Sequence, residues 1–360
     1  MKRPRLFFWL VFLALLVSLV LIGLGVLYFE IRVGRRADSQ VCPAENVTIL
    51  VKPGEGLAEV AHNLKENRVI RDERLFIILG RLKGADTRIR KGEYEFMIGT
   101  PMREVLQSLV LGRQKYYKLK VLEGHNLYQI AEQIDLNRIW SAEHFLALGK
   151  DQIFLRQLGI PADSLEGYLS PDTYQFHRFD SEESIIKTMS RHFEESWKPE
   201  YEERAKELGL SRHQIITIAS IIEKETGLRA ERPLVSAVIY NRLKKNMNLY
   251  MDPTVIYGLL PNFDGNLTKS DLDQWTPYNT YKNFGLPPGP ICNPGDAAIR
   301  AALWPGDVPY LYFVSKGDGS HYFSSFYQDH LKAVELYQHQ GQALEPAPEE
   351  PIEPGGNLEK

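Results

Sequence analysis

Apolar residues run without a charge from Leu6 to Phe29, "LFFWLVFLALLVSLVLIGLGVLYF". At about 1.5 Å per residue such a helix reaches about 36 Å, enough to cross a bilayer, so the pattern predicts a single N-terminal transmembrane helix over 6–29. A cleaved signal peptide is the rival reading, but the run outlasts the usual apolar core of one, and Gly23 and Gly25 are followed by more apolar residues. After a polar link over 30–44 the periodicity changes. "VTILVKPGEGLAEVAHNL" alternates, turns at Pro53 to Gly56, then takes helical spacing at Leu57, Val60, Ala61 and Leu64. It predicts strand, turn and helix.

That pattern returns as "KLKVLEGHNLYQIAEQI", which sets Val121 against Val51, Gly124 against Gly54, Leu127 against Leu57 and Ala131 against Ala61. Between the copies, "IRKGEYEFMIGTPMREVLQSLVLG" predicts a further strand, a turn at Gly99 to Pro101 and a helix closed at Gly112. Residues 45–135 thus form a small α+β region. "GYLSPDTYQF", 167–176, reads as a turn-rich rim of a cleft. Helical periods follow from Glu182 to Ala230 and end in "IASIIEKETG". The last residues, 341–360, are rich in Pro and Glu with little to bury, and read as a disordered tail.

Composition narrows the function classes. The 360 residues are 44% hydrophobic and 25% charged with net charge -3, an ordinary globular balance without a basic field for nucleic acid. The flanks of the apolar run are nearly balanced, Lys2, Arg3 and Arg5 before it against Arg32, Arg35 and Arg36 after it. Orientation therefore rests on the short tail, 1–5, which is expected in the cytoplasm with the bulk of the chain outside it. Cys42 and Cys292 suit an exported protein, and whether they pair stays open.

The candidate chemistry lies in two carboxylates. On a helix, Glu225 falls within about 20° of Ile218 and within about 60° of Ile221 and Ile222, so it continues an apolar stripe, and Thr226 and Gly227 look like a helix end. Desolvation and the negative pole of the helix both raise its pKa, which suits a general acid. Glu223 lies about 200° around, with Ile216, Ala219 and Ser220. The plain alternative is that both acids flank Lys224 on a solvated helix end. Downstream, "YMDPTVIYGLL", "TPYNTYKNFGLPPGPICNPG" and "PYLYFVSKGDGSHYFS" are dense in Tyr, Asn, Pro and Gly, as in a sugar-binding groove or a packed loop shell. His321 could act in catalysis, although a lone histidine in a strand–turn–strand is more often structural. No metal-ligand spacing and no serine nucleophile elbow occur.

"ASIIEKET", "DPTVIYGL", "YNTY", "GLPPGPICNPG" and "PYLYFV", in this order with "LEGYLSPDTY" upstream, resemble the YceG-like endolytic murein transglycosylases. The resemblance runs from the apolar run to about residue 338. It implies an α+β protein with a small LysM-like α+β subdomain over 45–135 and a mixed α/β catalytic domain over 136–340, held in the bacterial inner membrane and working in the periplasm. It also implies internal cleavage of peptidoglycan strands between N-acetylmuramic acid and N-acetylglucosamine without water, leaving 1,6-anhydro ends, with no metal or organic cofactor. The catalytic glutamate maps to Glu225, with Glu223 as fallback and Ser220 as support. Tyr278, Asn279, Tyr281, Asp252 and Tyr174 are the expected substrate contacts, and peptidoglycan synthases the expected partners, with no nucleic acid. Cys292 within its loop and the acidic tail depart from the pattern only locally. A hydrolytic muramidase would need a second carboxylate, for which Asp252 and Asp172 are the candidates. A non-catalytic peptidoglycan-binding scaffold is the reading from another class.

Overall fold

The computed structural model describes residues 4–34 and 45–338, so the expectations for Cys42 and its pairing, for most of the 30–44 link and for the 341–360 tail fall outside the described residues. The described chain is α+β and divides into two compact units, Met1–Lys118 with Gln175–Asp180, and Leu119–Tyr174 with Ser181–Lys360. The 45–135 stretch is divided between them.

The first unit opens with α1 (Pro4–Gly34), whose Val11–Arg32 segment has a mean hydropathy of 2.8 and no fully buried residue. Among the described residues it is the one helix long and apolar enough to cross a membrane. β1 (Asn46–Val51), α2 (Leu57–Glu66), α3 (Glu73–Leu82), β2 (Gly92–Met97) and α4 (Met102–Leu111) follow. β1 and β2 pair antiparallel with Ile49 opposite Tyr94, a register that sends Ile49 and Val51 inward. There they meet Val60, Leu64, Phe76, Tyr94 and Leu109 in one core, against which Phe29 of α1 packs in part. The buried Glu93 gathers Tyr117, Lys115 and Arg178, which ties the 175–180 segment into this unit.

β3 (Tyr117–Val121) pairs with β4 (Asp172–Phe176) in a second two-stranded sheet, and the division of the chain runs through both strands. The second unit continues with α5 (Leu127–Leu136), α6 (Ala142–Leu148) and α7 (Gln152–Gln157). After β4 come α8 (Glu182–Ser196), α9 (Pro199–Glu207), α10 (Arg212–Glu225), α11 (Arg232–Lys244), α12 (Asp252–Gly258), α13 (Lys269–Asp273) and α14 (Asp296–Leu303). The hairpin of β5 (Tyr312–Ser315) and β6 (His321–Ser324) carries α15 (Tyr327–Gln338) against it.

The internal repeat is longer than the apolar pattern indicates. Gly54 and Gly124 both take the left-handed conformation that a side chain disfavours, at φ +87° and +80°, and so turn each strand into its helix. Arg68 and Arg138, each after an Asn, share a positive φ of 59° and 54° and end α2 and α5 alike. Asp72 then caps α3 through the amide of Leu75, and Ser141 caps α6 through the amide of His144. Each copy is therefore strand, turn and two helices.

Helix α10 is the centre of the second unit. Ser211 and Gln214 form a reciprocal capping box at its start, and every residue from Ile215 to Ile222 is buried. It is buried around its whole circumference by α9, α11, α12 and α14, of which α14 brings the small residues Ala298, Ala301 and Ala302. Burial of each isoleucine contributes about 1.5–3 kcal/mol, so this helix is a fixed mount for whatever lies at its end.

Candidate active site at the end of helix α10

Glu225 is the last residue of α10, and the turn after it is locked. The C-cap Thr226 accepts the amide of Leu228 and donates its hydroxyl to Glu231 at 3.1 Å. Glu231 is held in turn by the amide of His321 at 2.9 Å and by its ring Nδ1 at 2.7 Å. His321 thus serves the backbone next to Glu225.

The Glu225 carboxyl is half-buried. Burial pushes its pKa up to about 8, the negative charge of Asp252 pushes in the same direction, and Arg242 opposes both. Arg242 of α11 is itself buried, and its donors go to two backbone carbonyls, Nε to Leu311 and Nη1 to Leu249, both at 2.6 Å. Its guanidinium lies over the rings of Tyr250 and Tyr312, at 5.8 and 5.4 Å from their centroids. The cation therefore softens the field at Glu225 and makes no ion pair with it among the described residues.

Asp252 opens α12 in solvent and accepts the hydroxyl of Tyr281. Tyr281 is fixed from both sides, its amide donating to Asn279 Oδ1 at 2.8 Å and its carbonyl accepting from Asn248 Nδ2 at 2.8 Å. Tyr250 stands edge-on to Tyr281 with ring centroids 5.1 Å apart. It is half-exposed and has φ +48°, a conformation that a bulky residue adopts only where its surroundings enforce it. A titratable acid, a second carboxylate, the half-exposed Tyr250 and the partly exposed Tyr281 thus share one corner of the second unit.

Other expected residues have different work. Glu223 takes the opposite side of α10, where Arg232 donates to it at 2.7 Å and the amide of Gly295 at 3.0 Å, both side chains of the ion pair being buried. Ser220 does not support Glu225. Its hydroxyl donates to the carbonyl of Thr217 and accepts the amide of Ile291, while the buried thiol of Cys292 donates to its carbonyl. Asn279 is fully buried and spends its side chain on the carbonyls of Leu272 and Gln274 and on the amide of Tyr281, so it shapes the loop. Tyr174 is buried on β4 with its hydroxyl donating to the carbonyl of Ser170. Asp172 is exposed and accepts the amide of Thr173. Tyr278 packs against Tyr257 and lines a cavity of about 290 Å³ with His213 and Glu166.

Arg242, Tyr250 and Glu166 are not singled out by the sequence. Glu166 is completely buried and gathers the amide of Leu127, the hydroxyl of Tyr257 and Nδ2 of Asn293. Asn293 in turn accepts the amides of Gly167 and Leu169. These bonds join the 122–127 turn, the 165–169 turn and the 290–295 loop beside α10. Gly295 lies against the Glu123 carboxyl, which a Cβ there would meet at 2.1 Å and push aside. For Arg242 the sequence carries no signal, since its partners are backbone carbonyls, which every residue carries.

Known proteins share this architecture. The chain is 37% identical over 307 residues to a Bacillus subtilis (strain 168) protein named endolytic murein transglycosylase, an alignment covering 81% of this chain and 84% of the relative. A Streptococcus pneumoniae (strain D39) protein of the same name is 28% identical over 324 residues, 80% of this chain and 58% of the relative, so the chain spans under two thirds of that longer protein. A crystal structure of a yceG-like protein from Listeria monocytogenes matches with a TM-score of 0.56 at 32% identity, covering 81% of this chain and 99% of that one. The family model described as YceG-like matches residues 49–336, and on this match and these relatives the chain belongs to the YceG-like family.

Proposed function

We propose that the protein is an endolytic peptidoglycan lytic transglycosylase in which Glu225 is the single acid and base. The observation that carries this reading is a half-buried carboxyl with a pKa raised to about 8 at the end of a rigid helix, in a chain whose relatives are named endolytic murein transglycosylases. Protonated at neutral pH, Glu225 gives its proton to the glycosidic oxygen as the C1–O bond breaks, and the electron pair leaves with that oxygen. The resulting carboxylate then takes the proton of the muramyl C6 hydroxyl as that oxygen bonds C1, which closes the 1,6-anhydro ring. Water is not consumed.

In this reading α1 anchors the enzyme in the membrane, the strand–turn–helix units act as LysM-like glycan holders, and the tether confines cutting to strands near their site of synthesis, where peptidoglycan synthases are the natural partners. Tyr281 and Tyr250 offer ring faces to the sugar. Incubating the full-length protein in detergent with uncrosslinked glycan strands, beside its Glu225→Gln variant, and weighing the products by mass spectrometry tests the reading. Internal fragments with anhydromuramic ends, lost in the variant, are expected.

A hydrolytic muramidase is the second reading, favoured by the charge of Asp252 acting on Glu225 within the same corner. Reducing muramic ends from the wild type would select it and remove the transglycosylase assignment.

A further inference from the structure

The site described above contains a second carboxylate that a one-acid mechanism leaves idle. We propose that Asp252, held by the hydroxyl of Tyr281 at the start of α12, is a positioning residue of the glycan-cleaving site, a fixed negative charge set in the same corner as Glu225 and toward the sugar C1 that becomes cationic. The inference rests on the transglycosylase reading.

Its support is geometric. Asp252 is exposed at the start of α12, where an unconstrained side chain would sample solvent, yet it accepts a hydroxyl whose ring and backbone are both fixed. The scaffold under Tyr281 is deep: Asn279 is completely buried, and Thr280 accepts the amide of Tyr250 at its carbonyl and that of Met251 at its hydroxyl. Thr254 and Thr280 join their hydroxyls at 2.9 Å, which fixes the start of α12 on the same loop. The strained backbone of Tyr250 lies two residues before Asp252. A phenol donor suits this task because it steadies a carboxylate without neutralising it. No Lys, Arg or His side chain pairs with Asp252 among the described residues, so its charge remains available to the site.

The charged groups around Glu225 leave the role to Asp252. From α11 comes Arg242, whose hydrogen bonds are spent on carbonyls. On α10 itself, Glu223 is paired with Arg232 and Lys224 reaches the carbonyl of Gly124. On α14, Asp296 accepts from Tyr201 and Arg300 faces Glu200, while on α9 Arg204 serves Glu207 and the carbonyl of Leu303. At the turn after Glu225, Glu231 is paired with His321 and holds Thr226, Tyr250 and Tyr312 lie against the Arg242 guanidinium, and the hydroxyl of Tyr281 is committed to Asp252. Removing the charge of Asp252 therefore lowers the pH up to which Glu225 keeps its proton, and removes a negative charge from the side where the sugar becomes cationic.

The experiment is the pH profile of glycan cleavage by the full-length protein and its Asp252→Asn, Asp252→Glu and Tyr281→Phe variants, with product masses and melting temperatures recorded together. In Asp252→Asn the alkaline limb of kcat/KM is expected to move to lower pH by about 1, with kcat at pH 8 down about tenfold or more, KM little changed and anhydro ends retained. Asp252→Glu should restore part of both. Tyr281→Phe keeps the charge but frees it, and should lower kcat with a melting temperature near that of the wild type, so it decides the matter if Asp252→Asn fails to fold. An alkaline limb identical to the wild type in a folded Asp252→Asn protein, or full kcat in Tyr281→Phe, would overturn the inference and leave the transglycosylase reading standing. Reducing ends from the wild type would instead overturn that reading itself.

Discussion

Arg232 Nη2 donates to Glu223 Oε1 at 2.7 Å with both side chains buried, so one of the two acids in "EKET" is an internal ion pair. Two further nitrogens of Arg232, Nε and Nη1, are buried without a partner among the described residues, which leaves Glu223 to compensate this cation inside the protein. Glu223→Ala is expected to cost about 3–5 kcal/mol of stability, because it strands a buried charge. Chemical denaturation measures the loss, and the cleavage rate per folded molecule should stay within a few-fold of wild type. A rate loss with unchanged stability would make Glu223 the acid instead.

Glu225 should behave in the opposite way. Its folded-state pKa of about 8 exceeds its ordinary value of 4.5, so the folded protein holds a proton that the unfolded chain releases between those values. Its contribution is fully present below 4.5 and is lost as pH rises toward 8. Glu225→Gln is therefore expected to abolish cleavage and to gain stability over the wild type on going from pH 4.5 to 8, by roughly 1–3 kcal/mol. Urea unfolding at both pH values checks it.

Glu166 is the acceptor at the meeting of three loop segments. Glu166→Ala would leave the amide of Leu127, the hydroxyl of Tyr257 and Nδ2 of Asn293 without their shared partner, at a cost of about 3 kcal/mol or more. Hydrogen exchange should show the 122–127 and 165–169 turns opening first. Unaltered protection there would show that water replaces the carboxylate without loss.

Asn279→Ala tests whether a buried amide acts on the site through the loop. Loss of its bonds to Leu272, Gln274 and Tyr281 should lower the melting temperature by several degrees and reduce kcat, since Tyr281 loses one of its two backbone anchors. Were KM to rise with kcat and melting unchanged, Asn279 would be a substrate contact after all.

The local grammar of the chain was open to a sequence reading. Alternation followed by 3.6-residue spacing gave the β1–α2 and β3–α5 units, and an uncharged run gave α1, because periodicity and length are properties of consecutive residues. The longer repeat is not legible in the apolar pattern, since it rests on the backbone conformations of Arg68 and Arg138 and on different caps, Asp72 and Ser141, that do one job. Likewise the helical wheel put Glu225 on an apolar stripe, whereas α10 is buried on every side from Ile215 to Ile222.

Residue chemistry was legible in kind and not in assignment. The Tyr- and Asn-rich loops do surround the end of α10, but Ser220, Asn279 and Tyr174 spend their polar atoms within the protein, on carbonyls and amides that no spacing in the sequence reveals. Arg242 reaches its place through the carbonyls of Leu249 and Leu311, the second of them far along the chain.

The sequence by itself determined that one apolar helix precedes an α+β protein with a repeated strand–turn–helix and an acid at the end of an apolar helix, since each of these is a pattern of neighbours. Only the tertiary structure decided which acid is paired and which is left to titrate. Burial raises both carboxyls, but Arg232 and the amide of Gly295 oppose it at Glu223 whereas Asp252 adds to it at Glu225, and a pKa is set by the charges and the solvent around a group in three dimensions.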